Sequence, residues 1–407
     1  MKYFVSISPP DFQKRALLVL CAILLSFLLS NVQAKQISHA HMEEILYHIQ
    51  TYYVEEVPTS HIKQHNFNEL FEQLDPYSKY LNEHELETLF SATNGRYTGI
   101  GIEVEEIENR IVIVDTLPGS PAEQAGIEGG DKLVAVNTHD VTNKSISEVS
   151  KLLREAKLSI IHITVERAEA HVTLALRRQE ITLESVTSKL LNGDIGYISI
   201  SSFNNHSYHD VARHINMLFA HNGLSLKGLI IDLRDNPGGT LNSAVAISDL
   251  FLQSGIIVTT KGRFFDANQK FYAVQGDILN GAPILVLINK QSASAAEILA
   301  GALQDNKRAL ILGQGSFGKG SVQSLIPIGN GTSALKLTTA RYYTPSGQSI
   351  EGTGIKPDIE YSKNTLSSLN KTAIMSNDKA NRDLYSRLEQ HWHAARQLVT
   401  KQQPTVN

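Results

Sequence analysis

Pro283-Ile-Leu-Val-Leu-Ile-Asn289, Lys290-Gln-Ser-Ala-Ser294 and Ala295-Ala-Glu-Ile-Leu-Ala-Gly-Ala-Leu-Gln304 follow one another without a break. The first is a short, branched apolar run of the kind that fills a strand buried on both faces. The second is a turn of small and polar residues. In the third, the apolar positions Ala295, Ile298, Leu299, Ala302 and Leu303 have the i, i+3, i+4, i+7, i+8 spacing of one helix face. Ser294 therefore stands at the mouth of a helix, where the first N–H groups lack intrahelical partners and carry the positive end of the dipole. An oxyanion formed beside such a serine would meet donors already aimed at it. The same residues, Ser294-Ala-Ala-Glu297, also spell a capping box, in which the hydroxyl only satisfies an N–H three residues on. The turn by itself leaves both readings open.

A second apolar strand, Ala309 to Leu312, runs into Gly313-Gln-Gly-Ser-Phe-Gly-Lys319-Gly320. Glycines let the backbone fold tightly and carry Lys319 inward, and a desolvated ammonium loses its proton more readily. A serine beside such a lysine is a Ser-Lys hydrolase pair. Three other readings compete for this loop. Gly313-x4-Gly318-Lys319 approaches a phosphate-binding loop, but Gly320 stands where a Ser or Thr is needed, and Ser321-Val-Gln-Ser-Leu-Ile-Pro-Ile reads as strand. Gly313-x-Gly315-x-x-Gly318 fails as a dinucleotide fingerprint for the same reason, since no helix follows. Ser316-x-x-Lys319 would require adjacent helical turns, which Gly318 and Gly320 oppose.

The run from Asn289 to Ala309, followed by Gly313 to Gln323, resembles the carboxyl-terminal processing (tail-specific) proteases. That resemblance implies Ser294 as nucleophile, Lys319 as general base 25 residues later, Gln323 as the residue that orients the lysine, and Asp305 in a supporting role. It also implies an α/β core of the crotonase/ClpP-like serine protease type. Asp235-Asn-Pro-Gly-Gly-Thr240 closes another buried strand, Gly228 to Arg234, and the resemblance assigns Gly238 or Gly239, with Ala295, to the oxyanion hole.

Leu74-Asp-Pro-Tyr-Ser-Lys-Tyr-Leu81 resembles an element that precedes the next domain in this family, and Asp75 reads as a turn or cap residue. Gly95-Arg-Tyr-Thr-Gly-Ile-Gly-Ile-Glu103, Ile111 to Val114, Pro118 to Gly126 and Gly130 to Asn137 resemble a PDZ domain. Thr98, Gly99, Ile100 and Gly101 would form a backbone nest for a peptide carboxylate, with the peptide added to the sheet edge. The family's G-x-x-G-T turn is missing between Arg154 and Ser159, although Ile161, Ile163 and Val165 keep the strand alternation.

The expected organisation is thus a mixed α/β, multidomain chain: a signal peptide at 1–34, an N-terminal helical region at 35–92, a PDZ domain at 93–168, a Ser-Lys protease core at 169–362, and a polar, partly helical tail at 363–407. Lys14-Arg15, the apolar run Ala16 to Leu29 and Val32-Gln-Ala34 have the layout of a secretory signal. Export to a periplasm or cell envelope follows. An uncleaved inner-membrane anchor is the alternative, although the run falls short of the roughly 20 residues of a spanning helix. The one cysteine, Cys21, lies within that run, so the exported chain would hold no disulfide.

A net charge of −4 offers nothing to a nucleic acid, and the fifteen histidines form no zinc-ligand pattern, so neither metal nor cofactor is expected. The expected partners are proteins or peptides with free C-termini, with room for a homo-oligomer or an activating adaptor. A noncatalytic PDZ module that captures unfolded or tagged proteins is the alternative, against which stands a lysine in a glycine hinge.

Overall fold

A computed structural model describes residues 39–57, 67–155, 159–191, 194–223, 225–274, 276–361, 388, 391–392 and 394–397. The expected signal at 1–34, the proline break at Pro58 and most of the polar tail lie outside the described residues. Among the described residues no helix is long and apolar enough to cross a membrane.

The N-terminal region packs onto the C-terminal half of the chain. Helix α1 (His39–Tyr52) buries Ile45 and Ile49, and Leu70 of α2 (Phe67–Glu72) joins them over Ile328, Leu335 and Leu337. In the following turn, Asp75 Oδ1 accepts from the N–H groups of Tyr77 and Ser78, at 2.7 and 2.9 Å, which is the turn role its sequence suggests. Strand β1 (Lys79–Leu81) then enters a core sheet, pairing Lys79 with Lys336 and Leu81 with Ala334. Helix α3 (Glu83–Asn94) starts on a reciprocal Asn82–Glu85 capping box and stops at Gly95, whose φ of 63° ends the helix in the left-handed region.

From Gly95 the chain rises through β2 (Arg96–Gly99) into a β-domain. Its elements are β3 (Ile102–Ile107), β4 (Arg110–Thr116), α4 (Pro121–Gln124), β5 (Lys132–Val136), β6 (His139–Asp140), α5 (Ile146–Glu155), β7 (Ile160–Arg167) and β8 (Ala170–Arg177). The strand order is β3-β4-β5-β7-β8, with β6 on β5. Alternating Ile111 and Ile113, and Ile161, Ile163 and Val165, form its core with Leu133. One sequence expectation is corrected here. Residues 170–177 do not begin the core expected at 169–362; β8 pairs with β7 along its whole length, from Ile160↔Arg177 to Arg167↔Ala170. The chain leaves this domain through β9 (Gln179–Thr182), which pairs antiparallel with β2 and closes a two-stranded stem.

The α/β half is built from β10 (Val186–Leu191), β11 (Ile195–Ile200), α6 (Ser207–His221), β12 (Gly228–Asp232), α7 (Leu241–Asp249), β13 (Ile256–Lys261), β14 (Gln269–Tyr272), β15 (Ile284–Ile288), α8 (Ala295–Asp305), β16 (Ala309–Gly313), β17 (Ser321–Ile328), β18 (Ser333–Tyr343) and β19 (Ile359–Glu360). The main sheet has the order β10-β11-β12-β15-β16-β19, parallel from β11 to β19. Burial on both faces explains its continuous apolar strands. Apolar residues of α6, α7 and α8 cover one face, and Leu388, Trp392 and Ala395 of the C-terminal tail cover the other. A second sheet, β1-β18-β13-β14 with β17 also on β18, stands beside it. Loops at the C-terminal ends of β12, β15 and β16 meet where the two sheets approach.

Candidate active site

Ser294 follows β15 and caps α8 with φ 56° and ψ −115°, a backbone setting that costs a side-chain-bearing residue about 1–3 kcal/mol. Its neighbours fix it from several sides. Ser292, fully buried, donates its hydroxyl to Leu233 O at 2.8 Å and accepts from Asn289 N–H at 2.9 Å. Asn289 exchanges hydrogen bonds with Asp235, and Ala293 N–H donates to Asn236 O. The turn after β15 is thereby stitched to the turn after β12. That second turn rests on a buried ion pair, Arg234 Nη2 to Asp232 Oδ2 at 2.6 Å, which also takes the Tyr197 hydroxyl at 2.6 Å. Removing one member would leave the other charge buried and unpaired.

Gly238 lies against the Ser294 turn so closely that a Cβ there would meet Ala293 O and Ser294 Cβ at 2.7 Å. Its own N–H donates to Asn236 Oδ1 at 2.8 Å. The N–H groups of Gly239 and Ala295 have no protein acceptor among the described residues. Of the two glycines named from sequence, Gly239 thus carries the unengaged donor.

The loop bearing Lys319 is drawn to the same turn by Glu297, which is fully buried. Its Oε2 accepts from the N–H groups of both Ser294 and Lys319, at 2.7 and 2.9 Å. Its Oε1 accepts from Gly318 N–H at 2.7 Å and from the Ser316 hydroxyl at 2.6 Å. Burial pushes the Glu297 carboxyl up, against the lowering effect of these hydrogen bonds. Ser316 is fully committed, since its oxygen also accepts from Ile355 N–H at 2.6 Å, and β17 after the loop is a strand. The S-x-x-K, phosphate-loop and dinucleotide readings therefore have no support in the geometry.

Lys319 Nζ lies 4.5 Å over the ring of Tyr77 and is hydrogen-bonded to neither Ser294 nor Gln323. Burial is the main influence lowering its pKa, and Lys336 adds to it, while Glu351, Asp75 and Glu297 act in the opposite sense. Gln323 Nε2 donates to Ser321 Oγ at 3.0 Å and Thr338 Oγ1 at 3.2 Å. Tyr342, fully buried on β18, donates its hydroxyl to Lys319 O and lies against the Ser294 side chain. Asp305 sits at the far end of α8, where Oδ2 accepts from Ser346 N–H at 2.8 Å. Tyr342 and Tyr77 carry no sequence signal for this site, and Glu297 enters from sequence only as the capping-box partner of Ser294. A carboxylate amid the apolar run Ala295 to Leu303, which the structure buries throughout, is the one signal that was available.

Thr98, Gly99, Ile100 and Gly101 line a cleft of about 970 Å³ that runs between β3 and α5, past Val104, and on to α3. Gly101 has φ 78°, and a Cβ there would meet Ser120 Cβ at 2.3 Å. The carbonyls of Ile100 and Gly101 are engaged by Ala122 and Leu117 N–H, whereas their own N–H groups have no protein acceptor among the described residues. Among the described residues no strand pairs with the outer edge of β3. Among the described residues no cluster of His, Cys, Asp and Glu could hold a metal.

Residues 194–361 match peptidase family S41, and residues 112–167 match a PDZ domain. A carboxy-terminal-processing protease of Bartonella bacilliformis is 38% identical over 323 residues, 79% of this chain and 74% of that protein. A carboxyl-terminal-processing protease of Picosynechococcus is 36% identical over 70% of this chain and 69% of its own length. Probable CtpA-like serine proteases of Staphylococcus aureus are 35% identical, and the chain spans 59% of their length. Among solved structures, the photosystem II D1 C-terminal processing protease superposes with a TM-score of 0.51 and 28% identity, over 80% of this chain and 94% of that one. An S41 protease from Bacteroides fragilis shares the fold, with a TM-score of 0.55 at 18% identity, over 86% of this chain and 98% of that one.

Proposed function

The chain belongs to peptidase family S41, and on that premise we propose that Ser294 is the nucleophile and Lys319 the general base of a serine endopeptidase that cuts proteins at or near their C-termini. The observation that carries this reading is the shared Glu297 oxygen, which ties the backbone N–H of Ser294 to that of Lys319. Two chain segments 25 residues apart meet on one carboxylate, beside two unengaged N–H groups.

The chemistry follows from those positions. A neutral Lys319 amine takes the Ser294 proton while Oγ attacks a peptide carbonyl carbon. The oxygen that becomes negative is received by the N–H groups of Ala295 and Gly239, and Gly238 serves by having no side chain where the carbonyl must approach. The lysine, now charged, returns the proton to the leaving amine, and an acyl-enzyme remains. Water, deprotonated by the same amine, releases the product acid and regenerates Ser294. Gln323 orients the amine when Nζ swings from Tyr77 toward the serine, and Asp305 supports the site by holding the Ser346 segment on α8.

The PDZ cleft supplies substrate selection. A chain end adds to the free edge of β3, and its carboxylate is taken by the N–H groups of Ile100 and Gly101 in the nest formed with Thr98 and Gly99. Ile100, Ile102, Val104, Val149 and Leu153 suit an apolar terminal residue. The inserted position of this domain further suggests that occupancy gates the protease. Export through the N-terminal segment would put the enzyme among envelope proteins, and any adaptor or homo-oligomer would act there. A noncatalytic binding module is disfavoured by the family relationship.

The test is cleavage of an unstructured protein with a free, apolar C-terminus, compared with the same protein amidated at its C-terminus. Faster cleavage of the free form is the expected result. Equal rates on both would remove the assigned role of the PDZ cleft, and no cleavage of either would remove the peptidase assignment for the isolated chain.

A further inference from the structure

Tyr77 comes from a different part of the chain than any residue assigned to the chemistry, yet its ring lies beneath the Lys319 ammonium, 4.5 Å from Nζ to the centroid. Its backbone is not free to drift. Tyr77 and Ser78 N–H groups are both held by Asp75 Oδ1, and Asp75 Oδ2 accepts from the Ser78 hydroxyl at 2.7 Å. Ser78 Oγ in turn accepts from Thr338 N–H at 3.0 Å, and the next residues are β1, paired to β18. Thr338 Oγ1 is the acceptor for Gln323 Nε2. The turn that carries the ring is therefore fastened to the strand that carries Thr338 and Tyr342.

We propose that Tyr77 is a positioning residue for the base lysine: its ring seats the Lys319 ammonium away from Ser294, and the amine engages the serine on leaving that seat. The inference rests on the Ser294–Lys319 assignment made above. An aromatic face attracts a cation and gives a neutral amine no comparable attraction, so the seat favours the charged lysine over the form that can take a proton. The other groups facing Nζ are Lys336 on β18, Glu351 on the segment that closes the glycine loop, Asp75 in the same turn as the tyrosine, and Glu297 on α8. Substitutions at 77 leave all four in place and change only the ring. The Tyr77 hydroxyl has no part in the argument.

The experiment measures the rate of Ser294 acylation by a fluorophosphonate probe as a function of pH in the full chain. Wild type is compared with Tyr77→Phe, Tyr77→Trp and Tyr77→Leu, each checked for folding by circular dichroism. Leucine keeps an apolar wall and removes the ring, so its labelling limb moves to lower pH, with labelling about 2- to 5-fold faster below the wild-type midpoint, the size of a partly exposed cation–π contact. Phenylalanine leaves the limb in place, and tryptophan, the stronger cation binder, moves it to higher pH. Should the leucine variant not fold, the order of phenylalanine and tryptophan decides the matter. A uniform loss of rate with an unmoved limb, or no difference between phenylalanine and tryptophan, overturns the proposal. Wild type left unlabelled at Ser294 at every pH would sink the nucleophile assignment itself, and the seat with it.

Discussion

Glu297→Ala removes one carboxylate and four hydrogen bonds, from Ser294 N–H, Lys319 N–H, Gly318 N–H and the Ser316 hydroxyl. Gly318 is buried, so its N–H bears the full desolvation penalty, about 1–3 kcal/mol. Ser294, Ser316 and Lys319 are half-buried, and water can replace part of what each loses, leaving roughly 1 kcal/mol apiece. The sum is about 4–6 kcal/mol, comparable to the whole stability of many domains. Glu297→Gln separates scaffold from charge. With its amide nitrogen turned toward Ser316, whose hydroxyl can rotate to accept, only Gly318 N–H is stranded. The charge whose burial pushes the carboxyl pKa up is gone at the same time, so melting changes by no more than about 1–3 kcal/mol. Activity responds differently, because loosening either backbone N–H widens the gap between Ser294 and Lys319, and an error near 1 Å costs about a hundredfold. Thermal melting and kcat/KM, read on the same preparations, check both halves. An alanine variant that melts like wild type and still cleaves would refute the view that Glu297 binds the two loops together.

Gly239→Ala would put a Cβ 2.0 Å from Phe203 O at φ 150°, so the turn after β12 must shift; kcat falls by about 10²–10³ with a smaller change in KM, as for loss of one oxyanion donor. Lys336→Met removes a like charge that lowers the Lys319 pKa, so Lys319 holds its proton more readily, and with Lys319 as the proposed base the rising limb of kcat/KM moves to higher pH. His214 and His391 both have pKa values lowered by burial, so each stabilises the fold fully above the unfolded value of about 6.5 and less as pH falls through the folded one. Melting temperature should therefore drop from neutral to mildly acid pH, and His214→Asn should flatten part of that slope.

The strand-turn-helix at 284–305 was legible because burial on both faces leaves nothing but apolar residues in a strand, and a helix packed on that sheet repeats at 3.6. The glycine loop was legible too, since φ 131° at Gly313 and 92° at Gly318 exclude most side chains. The end of the PDZ sheet was not. Residues 170–177 alternate just as a core strand would, and only their pairing with β7, a long-range fact, assigns them. Glu297 was read as a cap because the sequence shows the residue three positions after a serine; nothing local discloses that Gly318 and Lys319 fold back onto the same oxygens. Tyr77 was hidden for the same reason. Its partner lies more than two hundred residues away, across the inserted domain.

The most direct measurement is cleavage of an unstructured protein bearing a free, apolar C-terminus by the wild-type chain and by Ser294→Ala, Lys319→Ala and Ser316→Ala. Cleavage abolished by the first two and retained, with reduced stability, by the third is the predicted result, because Ser316 serves Glu297 and Ile355 rather than the substrate. Cleavage that survives Ser294→Ala or Lys319→Ala, or that is lost in a folded Ser316→Ala, would contradict the account.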